Sequence, residues 1–219
     1  MTRLAVAFVP MLLGMICHEV AHGYAAYKLG DPTAKASGRL TLNPLSHLEP
    51  VGSLMFVVTA LFFPFVLGWA KPVPVQPRYF KNPRRGMMLI SFAGPLTNFI
   101  LAFLFALGYG FLLRGLLSGG IAGSASIEFL LKACSAGIYI NILLGWFNLM
   151  PIPPLDGSHI LGGLLPRDLA YKYYGIGRYG MVILVVLLAS GLLWKILGPL
   201  VDFTAYNMAL LANVPVRFI

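Results

Sequence analysis

Apolar stretches long enough to cross a membrane recur five times along this chain of 219 residues, at 4–27, 51–69, 88–113, 130–150 and 181–201. A helix needs about 20 mostly apolar residues to span the hydrocarbon of a bilayer. In that medium backbone amides must be satisfied within the protein, so spanning segments are helices or closed barrels. Charged residues make up 11% of the chain, whereas a soluble domain carries about 25%. These facts predict an all-α polytopic membrane protein of about 4–6 transmembrane helices, folded as one integral-membrane domain over 1–219.

The N-terminus pairs Arg3 with an apolar run, as a signal peptide does. No small-x-small cleavage site follows, and the run continues without a break into His18, so it is read as a retained first span. The net charge of +9 does not point to nucleic acid. The Lys and Arg residues sit in the short segments between apolar runs, and no basic face carries interleaved aromatics. Cys17 and Cys134 both lie within apolar runs and read as small buried hydrophobes, with no disulfide framework. The second run is the irregular one. It is interrupted at Pro64 and closes on Gly68 and several prolines, so it either crosses once or enters and leaves on one face. Irregular backbone at membrane depth must be buried in protein or line a wet cavity.

The first run contains His18-Glu19-Val20-Ala21-His22. Four helical residues turn through 40° beyond a full circle, so His18 and His22 project from one face and can grip one ion. Glu19 lies on the flank of that pair, placed to reach a water at the site. An interhelical hydrogen-bond cluster is the other use of such residues. Ionisable groups at membrane depth are costly, however, and usually mark function.

Catalytic zinc typically takes three protein ligands and a water, so a third ligand is required. The remaining donors are Asp31, Glu49, Glu128, Asp156, Asp168, Asp202, His47, His159, Cys17 and Cys134. Asp156 is best placed locally, with His159 next. Pro151, Pro153 and Pro154 end the fourth run in extended backbone, and Gly157 permits a tight turn after the aspartate. The same residues also suit a capping Asp-Gly turn before a short helix near Ser158, and local context leaves both readings open.

HEVAH within a membrane span, FAGPLTN at 92–98 and Asn148, Pro151, Leu155, Asp156 and Gly157 at N-x-x-P-x-x-x-L-D-G spacing together resemble the site-2 proteases. These are zinc metalloproteases that cleave within the membrane. The segments 38–53 and 68–86 are similar to a small prokaryotic branch of that family, without its PDZ or CBS domains. The resemblance implies one zinc ion per chain held by His18, His22 and Asp156, with Glu19 as general base. It places Asn148 near substrate backbone or the developing oxyanion, and Asn98 there more weakly. An Asn in a membrane helix also serves simply to bond a neighbouring helix.

Sharing one zinc requires the C-terminal ends of the first and fourth runs to lie on one membrane face. That follows if 51–69 re-enters rather than crosses. The resulting order is helix 4–27, a re-entrant and partly β-like insert at about 34–80, helices 88–113 and 130–150, an LDG loop at 151–165, and helix 181–201. Basic residues from Lys28 to Arg178 then gather on the cytoplasmic side, leaving Arg3, Arg114 and Lys132 near the other face. The expectation is a multi-pass protein of a prokaryotic cell membrane, with its site nearer the cytoplasmic face. Its partners would be the bilayer and membrane-spanning protein substrates.

The activity implied is hydrolysis of peptide bonds in or near transmembrane segments. Glu19 would take a proton from water and pass it to the leaving amine. Substrate helices must unwind first, and the insert at 51–80 is expected to pair with them as an added strand. The alternative is a membrane zinc carrier or sensor with the same ligands and no hydrolysis. Transport calls for further ligands along a path, whereas His47 and His159 lie outside the main spans. A prenyl-protein type of HExxH protease would need a later helical glutamate, and Glu128 opens on a polar loop.

Overall fold

The computed structural model describes residues 2–52, 54, 55, 58 and 71–214, and helix dominates them. The first span forms as expected, as α1 (Thr2–Lys28). A short helix α2 (Thr33–Ala36) and a 3-10 turn (Pro44–His47) follow. After the insert come α3 (Pro83–Leu117) and α4 (Ala125–Asn148). Helices α5 (Asp156–Leu164), α6 (Arg167–Gly175), α7 (Gly180–Ala189) and α8 (Leu192–Leu211) complete the order. Four segments among the described residues are long and apolar enough to span a bilayer: Ala5–Lys28, Pro83–Leu117, Ala125–Asn148 and Arg167–Ala189.

Local sequence accounts for the helix ends. Asn82 caps α3 by accepting from the Arg85 amide at 3.1 Å, with Pro83 in the first turn, where its missing N–H costs nothing. The helix therefore begins before the 88–113 run predicted from apolarity alone, because its first turn is polar. Ser124 caps α4 in the same manner through Ile127. The run 181–201 is not one helix but two. It breaks at Ser190-Gly191, where Gly191 takes a φ of 70°, a conformation that glycine adopts without strain.

Helices α1, α3 and α4 pack around a shared core, and α8 lies along α4. Gly137, Asn141 and Gly145 fall at four-residue spacing on one face of α4. A methyl group at Gly137 would meet the Phe105 ring at 2.6 Å, and one at Gly145 would meet Phe99 at 2.9 Å. The absent side chains let α3 approach closely, as small residues do in membrane interfaces where lipid offers no hydrophobic drive. Ala102, Ala106, Ile138 and Ile142 fill that contact and are fully buried. Trp146 donates to the Thr204 hydroxyl at 3.0 Å, and Arg114 reaches the Ala212 carbonyl at 3.2 Å. The end of α8 therefore sits beside the end of α3.

Whether 51–69 crosses or re-enters falls outside the described residues, which omit 53, 56, 57 and 59–70. Among the described residues no strand forms. Lys71–Gln76 is neither helix nor ladder, and Lys71, Val73 and Gln76 each precede a proline, which biases them to extended backbone. Gln76 has φ −119° and ψ 105°.

Candidate active site

The packing of α1 against α3 sets the state of both motif histidines. His18 Nδ1 donates to Asn98 Oδ1 at 2.6 Å, and His22 Nδ1 donates to the Ile90 carbonyl at 2.7 Å. A nitrogen facing an acceptor carries the proton, so each neutral imidazole turns a lone pair at Nε2 toward the other ring. The two Nε2 atoms lie 2.9 Å apart. Asp156 Oδ2 lies 3.1 Å from the first and 3.2 Å from the second.

With both imidazoles neutral, three lone-pair atoms face one another across this triangle. Asp156 Oδ2 is buried and has no hydrogen-bond partner, and a buried oxygen of this kind needs an explanation. A shared cation supplies one. Zinc bonds of about 2.0–2.1 Å give tetrahedral edges near 3.3 Å, close to the spacings seen. The donor set of two imidazoles and a carboxylate suits zinc. Among the described residues these three form the group with metal-ligand spacing. Asp31, Glu49, Glu128, Asp168, Asp202, Cys17 and Cys134 stand apart from it.

The loop after α4 explains how Asp156 arrives. Leu155 is extended, and Asp156 opens α5 as its first residue. A Cβ on Gly157 would collide with the Leu149 carbonyl, so only glycine lets α5 start against the end of α4. On the other side α3 passes the histidines at Gly94. A methyl there would lie 2.5 Å from the His22 ring and 2.7 Å from His18. The motif AGPLTN therefore contributes a gap at Gly94 and an orienting amide at Asn98.

Asn98 is fully buried, and its amide also donates to the Gly14 carbonyl and to Asn141 Oδ1, each at 3.1 Å. It was expected, weakly, beside substrate; here all of these contacts tie three helices together behind His18. Asn148 donates to the Leu144 carbonyl at 3.0 Å and is not among the residues drawn to the triangle. His47 bonds the Thr41 carbonyl at 2.8 Å as a buried loop residue. His159 lies against Tyr174 and lines a cavity of about 390 Å³ with Arg84, Met87 and Arg167.

Glu19 is half-buried, and its Oε2 accepts from the Val73 amide at 3.0 Å. Sequence reasoning did not find this contact, nor Asn141 or the Ile90 carbonyl. A polar Asn141 inside an apolar run was the available signal for one of them. Further along, Gln76 N–H donates to Asp31 Oδ2 at 2.6 Å, while Thr33 N–H donates to Oδ1 at 2.9 Å. Burial alone would raise the Asp31 carboxyl. The Thr33 and Gln76 hydrogen bonds, with Arg78 nearby, outweigh that and hold it below the usual carboxylate range.

Comparison with known proteins places the chain among zinc metalloproteases by similarity. The model of peptidase family M50 matches residues 113–188. "Putative zinc metalloprotease YwhC" of Bacillus subtilis is 40% identical over 196 residues, covering 87% of this chain and 84% of that protein. "Putative zinc metalloprotease Rip2" of Mycolicibacterium smegmatis is 29% identical over 179 residues, 82% of this chain and 64% of its own length. "Zinc metalloprotease MJ0392" of Methanocaldococcus jannaschii is 25% identical over 167 residues, 76% of this chain and 36% of its own. No solved structure matches. With its HExxH helix, its LDG aspartate and relatives of this kind, the chain belongs to peptidase family M50, the site-2 type of intramembrane zinc metalloprotease.

Proposed function

We propose that His18, His22 and Asp156 hold the zinc ion of this metalloprotease, that Glu19 is its general base, and that its substrates are membrane-spanning proteins cut in or near a transmembrane segment. The observation that carries this is the triangle of Nε2, Nε2 and Oδ2 atoms at 2.9–3.2 Å, with both Nδ1 atoms committed elsewhere. Zinc bound there supplies a Lewis acid for the scissile carbonyl and brings a water toward neutral pKa. Asn98 and the Ile90 carbonyl keep both imidazoles in the ligating tautomer, as outer-shell partners of metal histidines do. Glu19, one residue along α1 from His18, takes the proton from water and delivers it to the departing amine.

The site lies on the basic side of the bundle, which the excess of Lys and Arg makes the cytoplasmic face of a cell membrane. A substrate helix hides its amides in its own hydrogen bonds, so it must unwind to reach Glu19. The insert that crosses beside Glu19 at Val73 is the element on which an unwound strand can lie. A carrier without hydrolysis would have no use for a glutamate held beside the ligands, and the family relationship does not favour it.

The test is metal analysis of the purified chain together with cleavage of a single-span model substrate. Wild type should carry one zinc and cut, and removal of the metal by a chelator should stop cleavage until zinc is restored. Glu19→Gln should keep the zinc and lose cleavage. Proteolysis by that variant would reject Glu19 as base, and zinc retention by His18→Ala with His22→Ala would reject the ligand set.

A further inference from the structure

Asp31 has no role in the chemistry above, yet it is a fully buried carboxylate. Burying a charge is costly unless it is hydrogen-bonded, and Asp31 is bonded on both oxygens by two different parts of the chain. Oδ1 accepts from Thr33 N–H and from the Thr33 hydroxyl, which shapes the turn at the end of α1. Oδ2 accepts from Gln76 N–H, 45 residues away in sequence. The first pair would suffice for a turn. The second ties the end of the catalytic helix to the insert.

That tie is one of three along the segment Lys71–Gln76. Lys71 N–H donates to the His47 carbonyl at 2.8 Å, Val73 N–H to Glu19 Oε2 at 3.0 Å, and Gln76 N–H to Asp31 Oδ2 at 2.6 Å. The three donors are the three residues that precede prolines, so each is biased to extended backbone while its N–H is bonded to the protein. Val73 also rests on Gly23, where a methyl group would meet its side chain at 2.9 Å. Between the Glu19 and Asp31 contacts run only three residues of chain, about 10 Å when extended. Asp31 therefore sets where Val73 N–H lies along α1.

The Glu19 side chain has three rotatable bonds, and a hydrogen bond to one carboxylate oxygen fixes the plane of the group. We propose that Asp31 is a positioning residue for the general base: by holding Gln76 N–H it keeps Lys71–Gln76 on α1, so that Val73 N–H orients the Glu19 carboxylate beside His18, His22 and Asp156. The proposal rests on the reading of Glu19 as the base.

The experiment uses the full chain in lipid nanodiscs and, as probe, an epitope-tagged single-span protein whose apolar segment of about 20 residues is interrupted by Asn-Gly-Pro. Amide exchange at 71–76 is read on the metal-free protein, and zinc content, kcat and KM on the loaded one. Asp31→Ala should speed exchange at 71–76 and lower kcat roughly 10- to 100-fold, the cost of a misplaced catalytic group. Its KM and zinc content should stay at wild-type values. Val73→Pro removes the donor to Glu19 while leaving the Asp31 tie, and should lower kcat similarly. Thr33→Val loosens the turn but keeps the tie, and should behave as wild type. Unchanged exchange in Asp31→Ala overturns the proposal, as does faster exchange with unchanged kcat. A loss in Thr33→Val as large as in Asp31→Ala also overturns it, since the effect would then belong to the turn. If Asp31→Ala does not fold, wild-type kcat in Val73→Pro overturns it alone. Cleavage by Glu19→Gln is read in a separate arm and would remove the base itself rather than its positioning.

Discussion

His18 Nδ1 and Asn98 Oδ1 are 2.6 Å apart, although 80 residues separate them in the chain. This contact turns a histidine that could present either nitrogen into one that presents Nε2 alone. The Ile90 carbonyl does the same for His22. Helix α3 thus supplies no atom of the triangle, yet it sets which ring atoms of α1 face Asp156.

Replacing Asn98 with Leu keeps the branched shape and removes the acceptor, together with the donors to Gly14 and Asn141. Zinc affinity should fall about 10- to 100-fold, the usual cost of losing an outer-shell partner. Competition with a chromophoric chelator measures it. Equal affinity in Asn98→Leu and wild type would show that the tautomer is set elsewhere.

Gly94→Ala places a methyl 2.5 Å from the His22 ring. The ring cannot retreat without leaving the Ile90 carbonyl, so zinc content and cleavage should both be lost. Gly108→Ala on the same helix meets nothing nearer than Cys134 Sγ at 3.6 Å and should retain both. The pair is read by metal analysis of the purified proteins.

The folded state holds the Asp31 carboxyl below its ordinary range. A lowered pKa stabilises the fold at all pH values above the unfolded value, near 3.9, and that contribution is lost as pH falls through the lower folded value. Wild type should therefore exceed Asp31→Ala in Tm by a constant margin from about pH 5 to about pH 8, with the margin closing below about pH 4. Thermal melts of the two proteins across that range check it. A margin that closed near neutrality would assign the difference to another group.

Single cysteines at exposed Ser37 and Ser118 should label from opposite sides of the membrane, Ser37 from the cytoplasm. Labelling of both from one side would sink the proposed orientation.

Much of the candidate site was readable because its chemistry is local. His18, Glu19 and His22 share one helical turn, and the Pro-rich approach to Asp156 marks where a chain must leave its helix. The helices of 4–27, 88–113 and 130–150 were readable for a similar reason: apolar length is a property of a segment. The break of 181–201 at Gly191 was not, because glycine is common in membrane helices and a positive φ is chosen by the packing of α7 and α8.

Sequence alone determined the helical class, the donor types available in the first span and the spacing that puts two imidazoles on one face, since helix geometry and residue chemistry need no partner. Only the tertiary structure decided that Asp156 completes the triangle, that Asn98 faces His18 rather than open space, and that Val73 meets Glu19. Those choices depend on how closely α3 and the insert approach α1. The gaps at Gly94 and Gly23 permit that approach, and a gap gains meaning only from what fills it.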